Sequence, residues 1–170
     1  MNHPLRASVG AIGLLTLISA CGGNDDPAPL PKLSAASGAT IAYCAELATR
    51  ISFANTSITA ATPVAAGTLA VAGTPVGAHC QVTGRMNQRT STVDGNSYAI
   101  GFEMRLPNAW NGRFFHQANG GIDGSVGTAT GGVNGGGGLN NALNMGFAVI
   151  SSDAGHVGSQ GPTFGIDPQA

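Results

Sequence analysis

The run Gly146-Phe147-Ala148-Val149-Ile150-Ser151 decides the fold. Four apolar residues in succession, bounded by glycine and serine, lack the alternation of a half-solvated strand. They fit a strand buried on both faces, as in a parallel sheet. Just upstream, Leu139, Ala142 and Leu143 predict a short helix, with Gly146 as its C-cap. A glycine-rich stretch from Gly120 to Gly138 precedes it, and Arg113-Phe114-Phe115-His116-Gln117 before that reads as another strand. Strand, glycine loop, helix and apolar strand is the order of a βαβ unit.

Further upstream the period changes. Tyr98, Ile100, Phe102, Met104 and Leu106 alternate with Ala99, Gly101, Glu103 and Arg105, which predicts a strand with one apolar face. Pro107 ends it, because proline has no N–H for the ladder, and Asn108 to Gly112 reads as a turn. Cys80 to Met86 reads as the preceding strand, and Asp94-Gly95 in the polar segment between them is a strong hairpin signal. Residues 52–78 carry Thr, Ala, Val, Pro and Gly without helical periodicity and predict extended segments with turns. Ile41, Cys44, Leu47, Ala48 and Ile51 fall at spacings of three and four, which predicts a short amphipathic helix. Antiparallel strands followed by a parallel unit point to a three-layer α/β fold with a mixed sheet.

Composition bounds the function. The 170 residues carry 7 basic and 8 acidic side chains, which leaves no cationic cluster for nucleic acid. Of 27 glycines, 17 fall between Gly101 and Gly165, so unusual backbone angles or close backbone approaches concentrate there. Lys32 is the only lysine, and neither GxxxxGK[ST] nor GxGxxG in a strand-to-helix setting occurs, which excludes a phosphate loop.

The first 20 residues read as an export signal: His3 and Arg6, then an apolar run from Val9 to Ala20, too short to span a bilayer. Leu17-Ile18-Ser19-Ala20-Cys21 resembles a bacterial lipobox, in which Cys21 receives the lipid and anchors the protein to the membrane. The residue after Cys21 is Gly22 rather than Asp, which resembles delivery to the outer membrane. The alternative is simple secretion with Cys21 a bystander. Residues 21–40 read as a flexible tether and 41–170 as the folded part. With Cys21 set aside, Cys44 and Cys80 form an even pair in an oxidising setting. A bridge would close a loop of about 37 residues, worth about 4 kcal/mol by loop entropy. Two unrelated buried thiols is the other reading.

Few side chains suggest chemistry. Gly120-Gly121 follows a strand, and main-chain N–H groups on such a loop can face a developing oxyanion, although glycine pairs are common in plain turns. His79 adjoins Cys80 and orders that turn; His116 reads as a core or sheet-face histidine. Asp153 and His156 either form a dyad or metal site or shape a pocket floor as a hydrogen-bonded loop, and the second reading is favoured. Ser151 and Ser152 lack the GxSxG setting of a nucleophile elbow. No metal cluster is apparent.

Taken in order, the motifs resemble the opening portion of the tannase/feruloyl esterase family of α/β-hydrolases, which includes enzymes that cleave mono-esters of terephthalate. The matching residues are Cys44 with Leu47, His79 to Arg85, Tyr98 to Pro107, Trp110 to Phe114, Gly120 to Gly124, Gly146 to Val149 and Ser152 to His156. The resemblance implies the N-terminal part of an α/β-hydrolase fold, a Cys44–Cys80 disulfide, and one oxyanion-hole N–H from Gly120 or Gly121. The implied activity is serine-dependent hydrolysis of small aromatic esters. The family's Gly-Cys-Ser-x-Gly-Gly elbow and the later Asp and His are not in this sequence. Neither is the lid, which in relatives often binds calcium; no cofactor is implied within these residues. The resemblance therefore implies a fragment of a longer esterase or a truncated product, inactive alone, with Arg113–Gln117 left as an open sheet edge. A non-catalytic surface lipoprotein that serves as a binding module is the competing reading.

Overall fold

The computed structural model describes residues 35–118, 120, 122, 124–132 and 141–169. In chain order the elements are β1 (Ala39–Thr40), α1 (Leu47–Arg50), β2 (Thr56–Val64), β3 (Ala70–Val71), β4 (Thr74–Pro75), β5 (His79–Thr90), β6 (Ser97–Pro107), β7 (Ala109–Trp110), β8 (Phe114–Gln117) and β9 (Ala148–Ser152). Two 3-10 turns follow at Gly158–Gln160 and Thr163–Ile166.

The central sheet has the order β2-β5-β6-β9-β8. Its first four strands pair antiparallel, and β8 joins β9 in parallel. The mixed sheet expected from the change of period is therefore present. β9, the uninterrupted apolar run, is an inner strand with Ala148, Val149 and Ser151 buried. β2 lies at one edge, where Pro63 leaves no inner ladder bond unmade. β8 lies at the other edge among the described residues, with Phe114 58% exposed.

The hairpin from β5 to β6 turns at Asp94-Gly95, with Gly95 at φ +76°. Ser91 N donates to Asn96 O, and the Asp94 carboxylate accepts from Asn96 N and from the Tyr98 hydroxyl at 2.6 Å. Donation from Tyr98 lowers the Asp94 carboxyl to about 2.

Three local expectations are corrected. The helix read across residues 41–51 shrinks to Leu47–Arg50. Ile41, Cys44, Leu47 and Ile51 are half-buried as their spacing predicts while Ala48 is exposed, and Ile41 N is drawn to Asn108 O and Cys44 is bridged to Cys80, so the first part cannot coil. Ala39 and Thr40, read as tether, pair with Trp110 and Ala109, read as turn. The helix expected around Ala142 and Leu143 is a run of turns, Leu139 lying outside the described residues. Ala142 N and Leu143 N donate to Gly131 O and Thr130 O, so the amides that would start a helix serve the crossover instead. Its C-terminal half is nevertheless helix-like. Gly146 N bonds Leu143 O and Phe147 N bonds Ala142 O, a Schellman ending with Gly146 at φ +84°.

The core sits beneath these turns. Val76, Ala129, Ala142, Leu143 and Val149 are buried together, with Leu69, Val71, Phe115 and Phe147 packed around them.

Candidate active site

The parallel pair fixes where chemistry can occur. In open α/β sheets, ligands bind outside the carboxyl ends of the strands, because loops diverge there and leave a crevice. The loop after β8 carries Gly120, and the loop after β9 carries Asp153 to His156. The two meet. His156 Nε2 lies 3.4 Å from Ile122 O, and a Cβ on Gly124 would come within 2.8 Å of His156 Cδ2. His156 is 5% exposed and stacks on Phe164 at 3.9 Å between ring centroids and 12° between planes. Its Nδ1 is buried without a partner among the described residues.

Gly120 is exposed, and a Cβ there would meet nothing within 4 Å. Gly120 is thus unobstructed on its Cβ side, just past the end of β8. Gly121 lies outside the described residues, as does Cys21.

Asp153 and His156 are not brought together as a dyad. Asp153 Oδ1 accepts from Gly101 N and from Gly155 N, both at 2.9 Å, so its carboxylate clamps the loop after β9 to β6. That is the hydrogen-bonded loop of the favoured sequence reading. Ser151 is fully buried on β9, far from the geometry of an elbow, and His116 is exposed on β8. Among the described residues no group of three metal-ligating side chains gathers.

The Cys44–Cys80 disulfide is present, with a sequence separation of 36. Next to it, His79 is buried and orders the turn as expected. Arg105 Nη1 lies 2.7 Å from His79 Nε2; a guanidinium has only donors, so the imidazole proton sits on Nδ1 and is given to Gly77 O at 2.8 Å. Burial pushes the His79 imidazole below its ordinary value.

Alternation alone missed Glu103, Arg105 and Gln117. It set Glu103 and Arg105 opposite the apolar face of β6 and gave them no role, yet Arg105 is 7% exposed and pairs with Glu103 at 2.7 Å. The overlooked signal is a phase: Gln81 and Thr83 on β5, Glu103 and Arg105 on β6, and Ser151 on β9 are all polar at alternate positions, so they share one sheet face.

Comparison with known proteins gives a consistent set of neighbours. The sequence model of the family described as tannase and feruloyl esterase matches residues 80–170. Mono(2-hydroxyethyl) terephthalate hydrolase of Piscinibacter sakaiensis is 42% identical over 100 residues, covering 54% of this chain and 16% of that protein. Two solved structures from Aspergillus oryzae, an esterase and feruloyl esterase B, superpose with TM-scores of 0.52 at 25% and 26% identity. Each covers 71% of this chain and 23% of its own. The chain spans less than a quarter of the length of these relatives.

Proposed function

Since the chain belongs to the tannase and feruloyl esterase family, we propose that it forms the oxyanion side of a carboxylic ester hydrolase acting on aromatic acid esters. The mono-ester of terephthalate named for its relative is one candidate substrate. The supporting observation is the exposed, unobstructed position of Gly120 just past the carboxyl end of the parallel pair. In ester hydrolysis a nucleophile's oxygen adds to the carbonyl carbon, the alcohol leaves, and water releases the acid. Negative charge gathers on the carbonyl oxygen, and a fixed main-chain N–H stabilises it. Gly120 or Gly121 supplies that N–H on this reading, and the nucleophilic serine, its histidine and aspartate come from segments outside these residues. A polypeptide of residues 1–170 alone is then inactive.

The test is turnover by the full protein on methyl gallate, methyl ferulate and mono(2-hydroxyethyl) terephthalate. Proline at position 120 or 121 removes one N–H, and at the donating position kcat should fall by about 10²–10³. Gly120→Ala keeps the N–H, has room, and should retain activity. A folded full protein that turns over none of the three esters sinks the proposal. Export with a lipid on Cys21 is part of the same reading: the protein should fractionate with outer membranes, and Cys21→Ser should release it.

A further inference from the structure

Beneath the glycine-rich loop runs a row of polar side chains. The register sets Thr83 beside Glu103, Glu103 beside Ser151, and Ser151 beside Gln117, so four adjacent strands contribute at one level. At the β2 edge the bulged residue Thr59 adds a hydroxyl 2.9 Å from that of Thr83. Burying polar groups in mid-sheet is costly unless they are paired. The partners here are main-chain atoms of the loop. Glu103 Oε1 accepts from Ala129 N at 2.9 Å. Gln117 holds the same segment from both sides, its Oε1 accepting from Gly131 N at 2.8 Å and its Nε2 donating to Thr128 O at 3.1 Å.

Glu103 is itself fixed. Arg105 Nε donates to Oε1 at 2.7 Å and Gln81 Nε2 donates to Oε2 at 2.7 Å. Arg105 continues to His79, next to the disulfide. A carboxylate held by three donors cannot swing away from Ala129 without breaking charge-assisted bonds. Of the loop after β8, Ile122 O lies against His156 and Ala129 N is held by Glu103.

We propose that Glu103 and Gln117 are positioning residues: they dock the loop at Thr128–Gly131 and thereby help to hold the part of it that follows β8, where Gly120 lies, in place for the ester carbonyl. The inference rests on the esterase reading above. Neither side chain touches substrate; each acts through the loop.

The experiment uses the full protein with Glu103→Ala, Glu103→Gln and Gln117→Ala. Two quantities are followed: amide hydrogen exchange at Ala129 and Gly131, and the split between kcat and KM. In Glu103→Ala, exchange at Ala129 should speed by about tenfold or more, the loss of a hydrogen bond to a charged group. By displacing the oxyanion donor it should lower kcat by about 10-fold to 100-fold with KM nearly constant. Glu103→Gln keeps an oxygen for Ala129 N and Arg105, while Gln81 can turn its amide to face the new NH₂, so it should recover most of both. Gln117→Ala should speed exchange at Gly131 and lower kcat less; it also carries the test if Glu103→Ala does not fold. Unchanged exchange in Glu103→Ala and Gln117→Ala, or faster exchange with wild-type kcat, overturns the proposal. Exchange is read without substrate. Lost protection in a protein that hydrolyses no ester would therefore sink the esterase reading and, with it, the catalytic half of this proposal, leaving the docking supported.

Discussion

The antiparallel and parallel halves of the sheet are held by different means. β5 and β6 run 12 and 11 residues and share a long ladder, closed at one end by a hairpin and pinned at the other by the disulfide. β8 and β9 run 4 and 5 residues. Their surroundings are tied by side chains reaching main-chain atoms, such as Gln117 on Gly131 and Asn111 Nδ2 on Met145 O. The difference teaches where function can sit. A long ladder is rigid because every residue contributes a bond, whereas a loop tied at a few points can present its amides to a ligand.

If the antiparallel half depends on its pin, removing the disulfide should produce the largest effect. Reduction, or the Cys44→Ser/Cys80→Ser pair, should lower unfolding free energy by about 4 kcal/mol, read as a shift in the denaturant midpoint. Exchange should rise most in β2 and around α1, both of which lie close to Cys44 and Cys80. A midpoint that does not move would mean that the ladder alone secures this half.

Next comes a substitution on the other side. Gly131 has φ +67°, and a Cβ there would collide with that of Ala142. Gly131→Ala should cost about 1–3 kcal/mol, with the loss of order confined to the crossover and β8. Equal loosening of β5 and β6 would show that the halves are one cooperative unit rather than two.

The two halves also differ in how far they could be read from residues alone. Hairpin pairing is local, so the Asp94-Gly95 turn and the period of two from Tyr98 to Leu106 placed β5 and β6 correctly. β9 was legible because Phe147 to Ile150 has no polar position at all. Glu103 and Gln117 were not, since their partners are main-chain atoms of a loop distant in sequence, and a polar residue on a strand reads as solvent-facing until the loop covering it is known. The helix expected around Ala142 failed for a related reason: Gly131 O and Thr130 O take the amides that would have started it.

The third effect is set by pH. The His79 imidazole is held neutral by burial, with its folded value below 6.5. Below pH 6.5 the unfolded chain takes up a proton that the folded chain refuses, so stability falls as pH falls. It is fully present above 6.5, and the slope is at most about 1.4 kcal/mol per pH unit. Asp94, lowered from 3.8 to about 2, acts in a separate window: its contribution is present above 3.8 and lost towards pH 2. Thermal unfolding of wild type and His79→Gln between pH 5 and 7.5 should show the slope in the first protein and its loss in the second. A slope that survives in His79→Gln would place the titrating group elsewhere.

The smallest effect discriminates most finely within the polar row. Ser151 is fully buried, and its hydroxyl has no partner among the described residues, although Glu103 and Gln117 flank it in register. Gln117 spends its hydrogen bonds on the loop, and Glu103 divides its own between the loop, Arg105 and Gln81, so the hydroxyl gains nothing from the row and still forfeits its water. Ser151→Ala removes that unmet group and leaves only a small void. It should change stability by no more than about 0.5 kcal/mol, or raise it by about 1. Measured beside Glu103→Ala, it separates polar side chains that hold the loop from one that merely lies under it. A loss above about 2 kcal/mol would show that Oγ is satisfied, and the row would then act as one connected network rather than two separate clamps.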